Sequence, residues 1–90
     1  MIERDSEMEI GIVKSFNNKK GWGFGTVITE GGEEIFFHVS NGKDATVNGN
    51  NVRFYGKLNK EPKIGDMLVF ERIEYLLGGA EASPWGFYHR

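Results

Sequence analysis

Two short segments of the sequence carry aromatic rings at alternate positions. Trp22 and Phe24 alternate with glycines in the first segment, and Phe36 and His38 lie two residues apart in the second. Alternate side chains of a β-strand point to one side of a sheet, so adjacent strands would gather these rings on one face. Beside lysines, such a face can stack unpaired bases and hold phosphates. The candidate nucleic-acid-binding residues are Lys14, Phe16, Lys20, Trp22, Phe24, Phe36 and His38, with Lys19 as a further candidate.

The alternative is that these rings form the interior, because alternate aromatic residues usually belong to a core. Gly23 and Gly25 lie on the opposite side of the second strand, where an interior would lack bulk, and this favours rings that point inward. Against that, neighbouring positions already supply an inward-facing apolar set: Ile35, Phe37, Leu68 and Phe70. Composition leaves both orientations open.

The elements that must position these residues are predicted to be β-strands. Enrichment in β-branched and aromatic residues predicts five main strands, bounded by glycine- and asparagine-rich turns: residues 10–16, 22–29, 34–39, 67–76 and 83–88. Residues 52–55 are either a short extra strand or part of a long loop. No helical periodicity persists over ten or more residues. The pattern predicts a small all-β barrel or sandwich.

Length and charge set further bounds. Ninety residues make one domain, with residues 1–8 as a flexible acidic lead-in before a domain over residues 9–90. The net charge of −2 comes from residues 1–9, where four acids oppose Arg4. That segment carries −3, which leaves +1 on residues 10–90. Residues 10–29 contain three lysines and no acid, so a local positive region accompanies the rings.

Several classes of function are not expected. Without cysteine there is no disulfide framework or thiolate metal site, and His38 has just His89 as a second histidine. We therefore expect no metal, no cofactor and no enzyme, because acid, base and nucleophile form no visible constellation. The N-terminus lacks the apolar region of a secretory signal, and no run of apolar residues is long enough to span a membrane. A cytoplasmic location without membrane contact is the expectation.

Residues 11–25 and 35–39 together resemble a cold-shock domain. The first segment, GIVKSFNNKKGWGFG, is similar to the family's first strand and first ribonucleoprotein motif. The second, IFFHV, is similar to the second ribonucleoprotein motif, and residues 65–71 resemble the family's fourth strand. The similarity is strong over residues 10–40, moderate over 62–76 and weak from residue 77 onward.

The resemblance implies a five-stranded antiparallel oligonucleotide-binding barrel, or OB-fold, with a long loop between the third and fourth main strands. It implies single-stranded RNA or DNA as partner, bound by base stacking, as in an RNA chaperone or a regulator of transcription or translation. In it Trp22, Phe24, Phe36 and His38 match stacking positions, Phe16 matches a flanking ring, and Lys14 and Lys20 match positions near the nucleic-acid backbone.

Three departures from the family pattern bear on function. Ser15 and Val39 stand where the family has, or often has, aromatic residues. Segment 41–61 is longer than the family's loop, and it is either an extended binding loop or a solvated hairpin. It supplies additional candidate contacts at Arg53, Phe54 and Tyr55.

These departures and the negative charge motivate a second hypothesis for the same barrel. In it the ring-bearing face docks a protein partner or another copy, and nucleic-acid binding is weakened. The long 41–61 connection also leaves a homodimer open, including a strand-swapped one. Residues 85–88 are predicted to close the core, with a second ring patch or a dimer contact as the alternative.

Overall fold

In the computed structural model, the described residues form seven β-strands and one short 3₁₀ turn. The structure describes residues 8–19, 22–48, 51–58 and 60–88, with the backbone alone at Lys19 and Trp22. The strands are β1 (Met8–Lys19), β2 (Trp22–Thr29), β3 (Glu34–His38), β4 (Asp44–Asn48), β5 (Asn51–Tyr55), β6 (Met67–Glu74) and β7 (Ala80–Phe87). The 3₁₀ turn, Val39–Asn41, follows β3. Among the described residues, no helix is long and apolar enough to cross a membrane.

Five of the strands close into a barrel in the order β1-β2-β3-β7-β6, as the all-β prediction required. The predicted five-stranded antiparallel barrel is confirmed, with one exception among its neighbouring pairs: β3 and β7 run parallel. Five strands in a closed ring cannot all alternate in direction, so at least one pair must be parallel. The architecture is that of an OB-fold-like barrel.

The long connection after β3 is a two-stranded hairpin rather than a structureless loop. β4 and β5 pair in an antiparallel register from Asp44–Tyr55 to Asn48–Asn51. Of the two alternatives for residues 52–55, the structure shows the strand, whereas its partner β4 was not predicted. β4 lies against β7, where the backbone N–H of Lys43 donates to the carbonyl of Trp85 at 2.8 Å.

β1 is long because it pairs with two other strands, β2 and β6. Its first half pairs with β6, from Met8–Glu71 to Ile12–Met67, and the strand also pairs with β2 as far as Lys19–Trp22. The register with β2 shifts between Val13 and Ser15, which leaves Lys14 as the extra residue of a β-bulge. A bulge bends its strand and increases the local twist, and this lets one strand turn the corner of a small barrel. The predicted turn at Asn17–Asn18 is thus part of β1, and the predicted lead-in, apart from Met8 in β1, lies outside the described residues.

The core confirms the inward-facing set predicted from the sequence. Ile35, Phe37, Leu68 and Phe70 are all buried, and they pack together with Val13, Val27, Ala82 and Trp85. Trp85 is fully buried, so residues 85–88 contribute to the barrel core as expected.

Gly25 allows this core to form, because a side chain has no room at its position. A Cβ there would lie 2.2 Å from the carbonyl oxygen of Ser15 and 3.0 Å from the ring of Phe37. Gly23, two residues earlier, faces the ring of Phe16 in the same way. The missing bulk on the inner side of β2 is therefore supplied by the rings of Phe16 and Phe37, which stack with centroids 6.1 Å apart.

An ion-pair cluster centred on Arg72 joins three parts of the barrel. Its guanidinium donates to both carboxylate oxygens of Glu9 in β1 and to both of Glu33 in the β2–β3 turn, at 2.7–3.0 Å. These bonds hold the pKa of Glu33 below its ordinary value of 4.5 and raise the pKa of Arg72. The Arg72 side chain is 17% exposed, so the cluster is partly shielded from solvent.

Replacement of Gly25 tests the close packing between β1 and β2. We expect Gly25→Ala to destabilise the fold by about 2–3 kcal/mol, because the backbone carbonyl of Ser15 must move to admit the methyl group. The matched control is Gly31→Ala, whose added Cβ would meet its nearest neighbour at 4.0 Å. Thermal unfolding by circular dichroism measures both, and equal melting temperatures for the two variants would contradict the packing argument.

Replacement of Arg72 tests the ion-pair cluster. We expect Arg72→Met to lower the free energy of unfolding by about 1–2 kcal/mol at neutral pH, since charged hydrogen bonds are lost. A carboxylate whose pKa is depressed on folding stabilises the fold above its unfolded pKa and loses that contribution as pH falls through the folded value. The difference between wild type and Arg72→Met should therefore shrink below pH 4.5. Urea unfolding from neutral pH to below pH 4.5 measures this difference, with Arg53→Met as the control. A difference in stability between wild type and Arg72→Met that does not change with pH would contradict the role of the Arg72–Glu33 pair.

Candidate nucleic-acid interface

Three rings on the outer side of β2 and β3 form a continuous face, which we call the ring face: Phe24, Phe36 and His38. β2 and β3 are antiparallel, with Phe24 opposite His38 and Phe36 opposite Thr26. The centroids of Phe24 and Phe36 lie 5.5 Å apart with planes inclined by 32°. Those of Phe36 and His38 lie 4.9 Å apart, nearly edge to face at 82°. The sequence placed these three rings together, and the structure brings them into contact.

The ring face points away from the core. Along β3 the side chains alternate, with Ile35 and Phe37 buried and with Phe36 exposed over 37% of its surface. Phe24 and His38 are half-buried. Of the two orientations that the composition left open, the structure shows the outward one for Phe24 and Phe36.

Phe16 does not belong to the ring face, contrary to its grouping with the other rings in the sequence. The bulge at Lys14 changes which side of β1 each following residue occupies. Phe16 consequently lies against the core, stacked on Phe37 with planes just 6° apart. Its position in the structure is that of a core ring that covers Gly23.

Hydroxyl groups occupy the place beside Phe36 where a cold-shock domain has a tryptophan. Ser15 is exposed on β1, and its hydroxyl lies 2.9 Å from the hydroxyl of Thr26, the residue opposite Phe36. The other departure from the family pattern has a different consequence, because Val39 packs against the core rather than on the ring face. Of these two positions, Ser15 is therefore the one that leaves the ring face without the additional ring that the resemblance predicts there.

The charge around the ring face is largely compensated or negative. Lys14 Nζ lies 3.6 Å from Glu34 Oε1, and the two side chains are 57% and 50% exposed. On the opposite side, Phe36 neighbours Glu81 of β7. The carboxylate of Glu81 accepts hydrogen bonds from Asn41 and from the Tyr75 hydroxyl, which raises the pKa of Tyr75. A nucleic acid on this face would meet two carboxylates beside Phe36 as well as Lys14.

A buried indole fixes the end of β3 that carries His38. Trp85 Nε1 donates to the carbonyl oxygen of His38 at 2.7 Å, and the indole also meets the ring of Phe37 at 5.3 Å between centroids. No local sequence pattern indicates this bond, since the two residues are 47 positions apart. The imidazole thus stands on a backbone position that is held from inside the barrel.

The remaining candidates fall in other places or outside the described residues. Arg53 and Tyr55 are exposed on β5, and Phe54 lies half-buried on the other side of that strand, opposite Ala45. These three belong to the hairpin and not to β2 or β3. Lys20 is outside the described residues, as are the side chains of Lys19 and Trp22. Within the part of the chain that the structure describes, no group of three His, Asp or Glu residues could hold a metal ion.

Comparison with known proteins does not assign the chain to a family. The chain matches no protein-family model and no curated protein. The resemblance to cold-shock domains accordingly stays a prediction from the residues.

Proposed function

We propose that the protein binds single-stranded nucleic acid by stacking unpaired bases on the ring face. The observation that carries the proposal is the outward row of Phe24, Phe36 and His38, whose neighbouring centroids lie 5.5 and 4.9 Å apart on two adjacent strands. Barrels of this architecture use the face of their second and third strands for oligonucleotides. Stacking on aromatic rings tolerates any base, so the expected partner is RNA or DNA with little sequence preference. No bond need be broken, and trapping unpaired bases would suit an RNA chaperone or a regulator of transcription or translation.

The acidic surroundings shape the expected affinity. Phosphate contacts supply the salt-dependent part of binding, and the Lys14 ammonium is shared with Glu34. Stacking should therefore provide a larger share of the binding free energy than electrostatic attraction does at the ring face.

A second candidate function is self-association of the barrel. A groove of about 740 Å³ follows the first half of β1, and its lining combines the apolar side chains of Met8, Ile10, Ile12, Ile28 and Met67 with three glutamates at its side, Glu9, Glu30 and Glu33. Ile12 is 49% exposed there, and burying such side chains against a second copy would stabilise a dimer. The two functions differ in salt dependence, because an apolar contact persists at high salt and a phosphate contact weakens.

Replacement of Phe36 tests the stacking proposal. We expect Phe36→Ala to weaken binding of an oligothymidylate of about seven nucleotides roughly tenfold or more, since a stacked base contributes about 1–3 kcal/mol. The control is Ile64→Ala, which removes an apolar side chain that is 71% exposed on a turn away from β2 and β3. Fluorescence anisotropy of a labelled strand gives both affinities, and thermal unfolding verifies that both variants fold. Equal affinities of the two variants, or no binding by the wild type at micromolar protein, would count against stacking.

Replacement of Glu34 tests the electrostatic contribution of Lys14 to nucleic-acid binding. We expect Glu34→Gln to tighten binding of the same strand several-fold, because Lys14 is released and a carboxylate that repels phosphates is removed. The slope of log K against log salt should steepen by about 0.7, the value for one added phosphate contact on a single strand. Stability should change little, as exposed ion pairs contribute about 1 kcal/mol or less. Glu30→Gln, the same charge change in the β2–β3 turn, is the control, and an identical slope for both variants would contradict the role of Lys14.

A further inference from the structure

A groove between the hairpin and the end of β7 gathers three lysines, and we call it the lysine groove. It has a volume of about 340 Å³, and its lining includes Lys43, Asp44, Lys57, Leu58, Lys60 and Phe87. It lies outside β2 and β3, the strands that carry the ring face.

The lysine groove carries uncompensated positive charge. Three lysines face one aspartate in its lining. Among the described residues, none of these three ammonium groups lies within 4 Å of a carboxylate. Lys60 Nζ stands 5.0 Å above the ring of Phe87, an arrangement that holds a cation without neutralising it. The contrast with Lys14, which is paired to Glu34, makes this groove the better place for an anion.

The walls of the groove are fixed to the barrel. The Lys43 N–H donates to the Trp85 carbonyl at 2.8 Å, and a Cβ on Gly86 would lie 2.7 Å from the Lys43 carbonyl oxygen. On the other wall, Leu58 packs against the core cluster. The lysines therefore extend from backbone that is held in place by contacts with the core.

The groove is also close to the ring face. Trp85 joins the two, because its indole N–H donates to the His38 carbonyl and its own carbonyl accepts from Lys43. Lys43 lies five positions after His38, so their Cα atoms are at most about 18 Å apart. A strand longer than the ring face could reach the groove without leaving the surface of the protein.

We propose that the lysine groove is a second subsite, which binds the phosphates of nucleotides that extend past His38. The inference rests on the proposed function and names the part of the ligand that the ring face leaves unbound. The ring face stacks bases, and the groove holds backbone charge. Binding to this protein should therefore gain both affinity and salt dependence with strand length.

Neutralising the groove tests the inference. Oligothymidylates of about four and about twelve nucleotides are titrated against wild type and the double variant Lys57→Gln, Lys60→Gln, at several salt concentrations. For the longer strand we expect a several-fold loss of affinity and a salt slope smaller by about 0.7 per lysine that contacts phosphate. The shorter strand, which the ring face accommodates, should bind both proteins equally. Lys63→Gln is the control. Lys63 is exposed on the turn before β6, so its replacement should change the affinity for neither oligothymidylate.

The outcomes separate the two proposals. If Phe36→Ala abolishes binding of both strands while the double variant leaves the longer strand's affinity and slope unchanged, the groove is overturned and stacking stands. If the wild type binds neither strand, stacking itself fails. Loss of the shorter strand in the double variant would also overturn a separate subsite. Both replaced lysines are exposed, so folding should persist, and thermal unfolding checks this.

Discussion

Much of this structure depends on one buried hydrogen bond, which the indole N–H of Trp85 donates to the backbone carbonyl of His38. Trp85 is fully buried, and an indole N–H inside a core must be hydrogen-bonded or its desolvation cost is unrecovered. The His38 carbonyl satisfies it, and the indole occupies the space beside Gly42, where a Cβ would lie 2.7 Å from the ring. One side chain thereby sets the end of β3 and the start of the hairpin. Through its indole N–H, Trp85 holds the backbone of His38, and through its carbonyl it holds Lys43 on one wall of the lysine groove.

A second constraint divides the rings of the chain between two environments. Seven phenylalanines are many for a barrel with such a small interior, and the fold uses them on both sides of its wall. Phe16 and Phe37 fill the space above Gly23 and Gly25, whereas Phe24 and Phe36 stand on the opposite surface. Because β2 has glycines on its inner side, the rings of Phe16 and Phe37 fill the interior there and leave no void. The ring of Phe24 can therefore lie on the outer side of β2.

Strand periodicity predicted a small all-β barrel or sandwich and the inward residues of β3 and β6, and the cold-shock resemblance singled out the barrel. Periodicity also predicted that Phe24 and Phe36 would share one face of the sheet. It failed at Phe16 because a β-bulge reverses the alternation, and no residue type marks the bulge at Lys14. β4 was missed because Asp44–Asn48 contains few strong strand formers, and it is paired with β5 and packed against β7. The parallel pairing of β3 with β7 and the bond from Trp85 to His38 join distant parts of the chain. Local patterns contain no information on such pairs, and the compensating charges at Glu34 and Glu81 became visible once the strands were aligned.

The parallel ladder between β3 and β7 has two paired positions, Phe36–Glu81 and Phe37–Ala82, and it is the shortest seam of the barrel. Local opening of a protein begins where the fewest interactions must be broken. We therefore expect local opening to concentrate at this seam, around Phe36 and Glu81, while the bond from Trp85 holds the end of β3 at His38. Small shifts there would change the spacing between the Phe36 ring and its neighbours Phe24 and His38. Under the proposed function, that adjustable spacing would let one aromatic surface receive bases of different size, without hydrogen bonds that distinguish them.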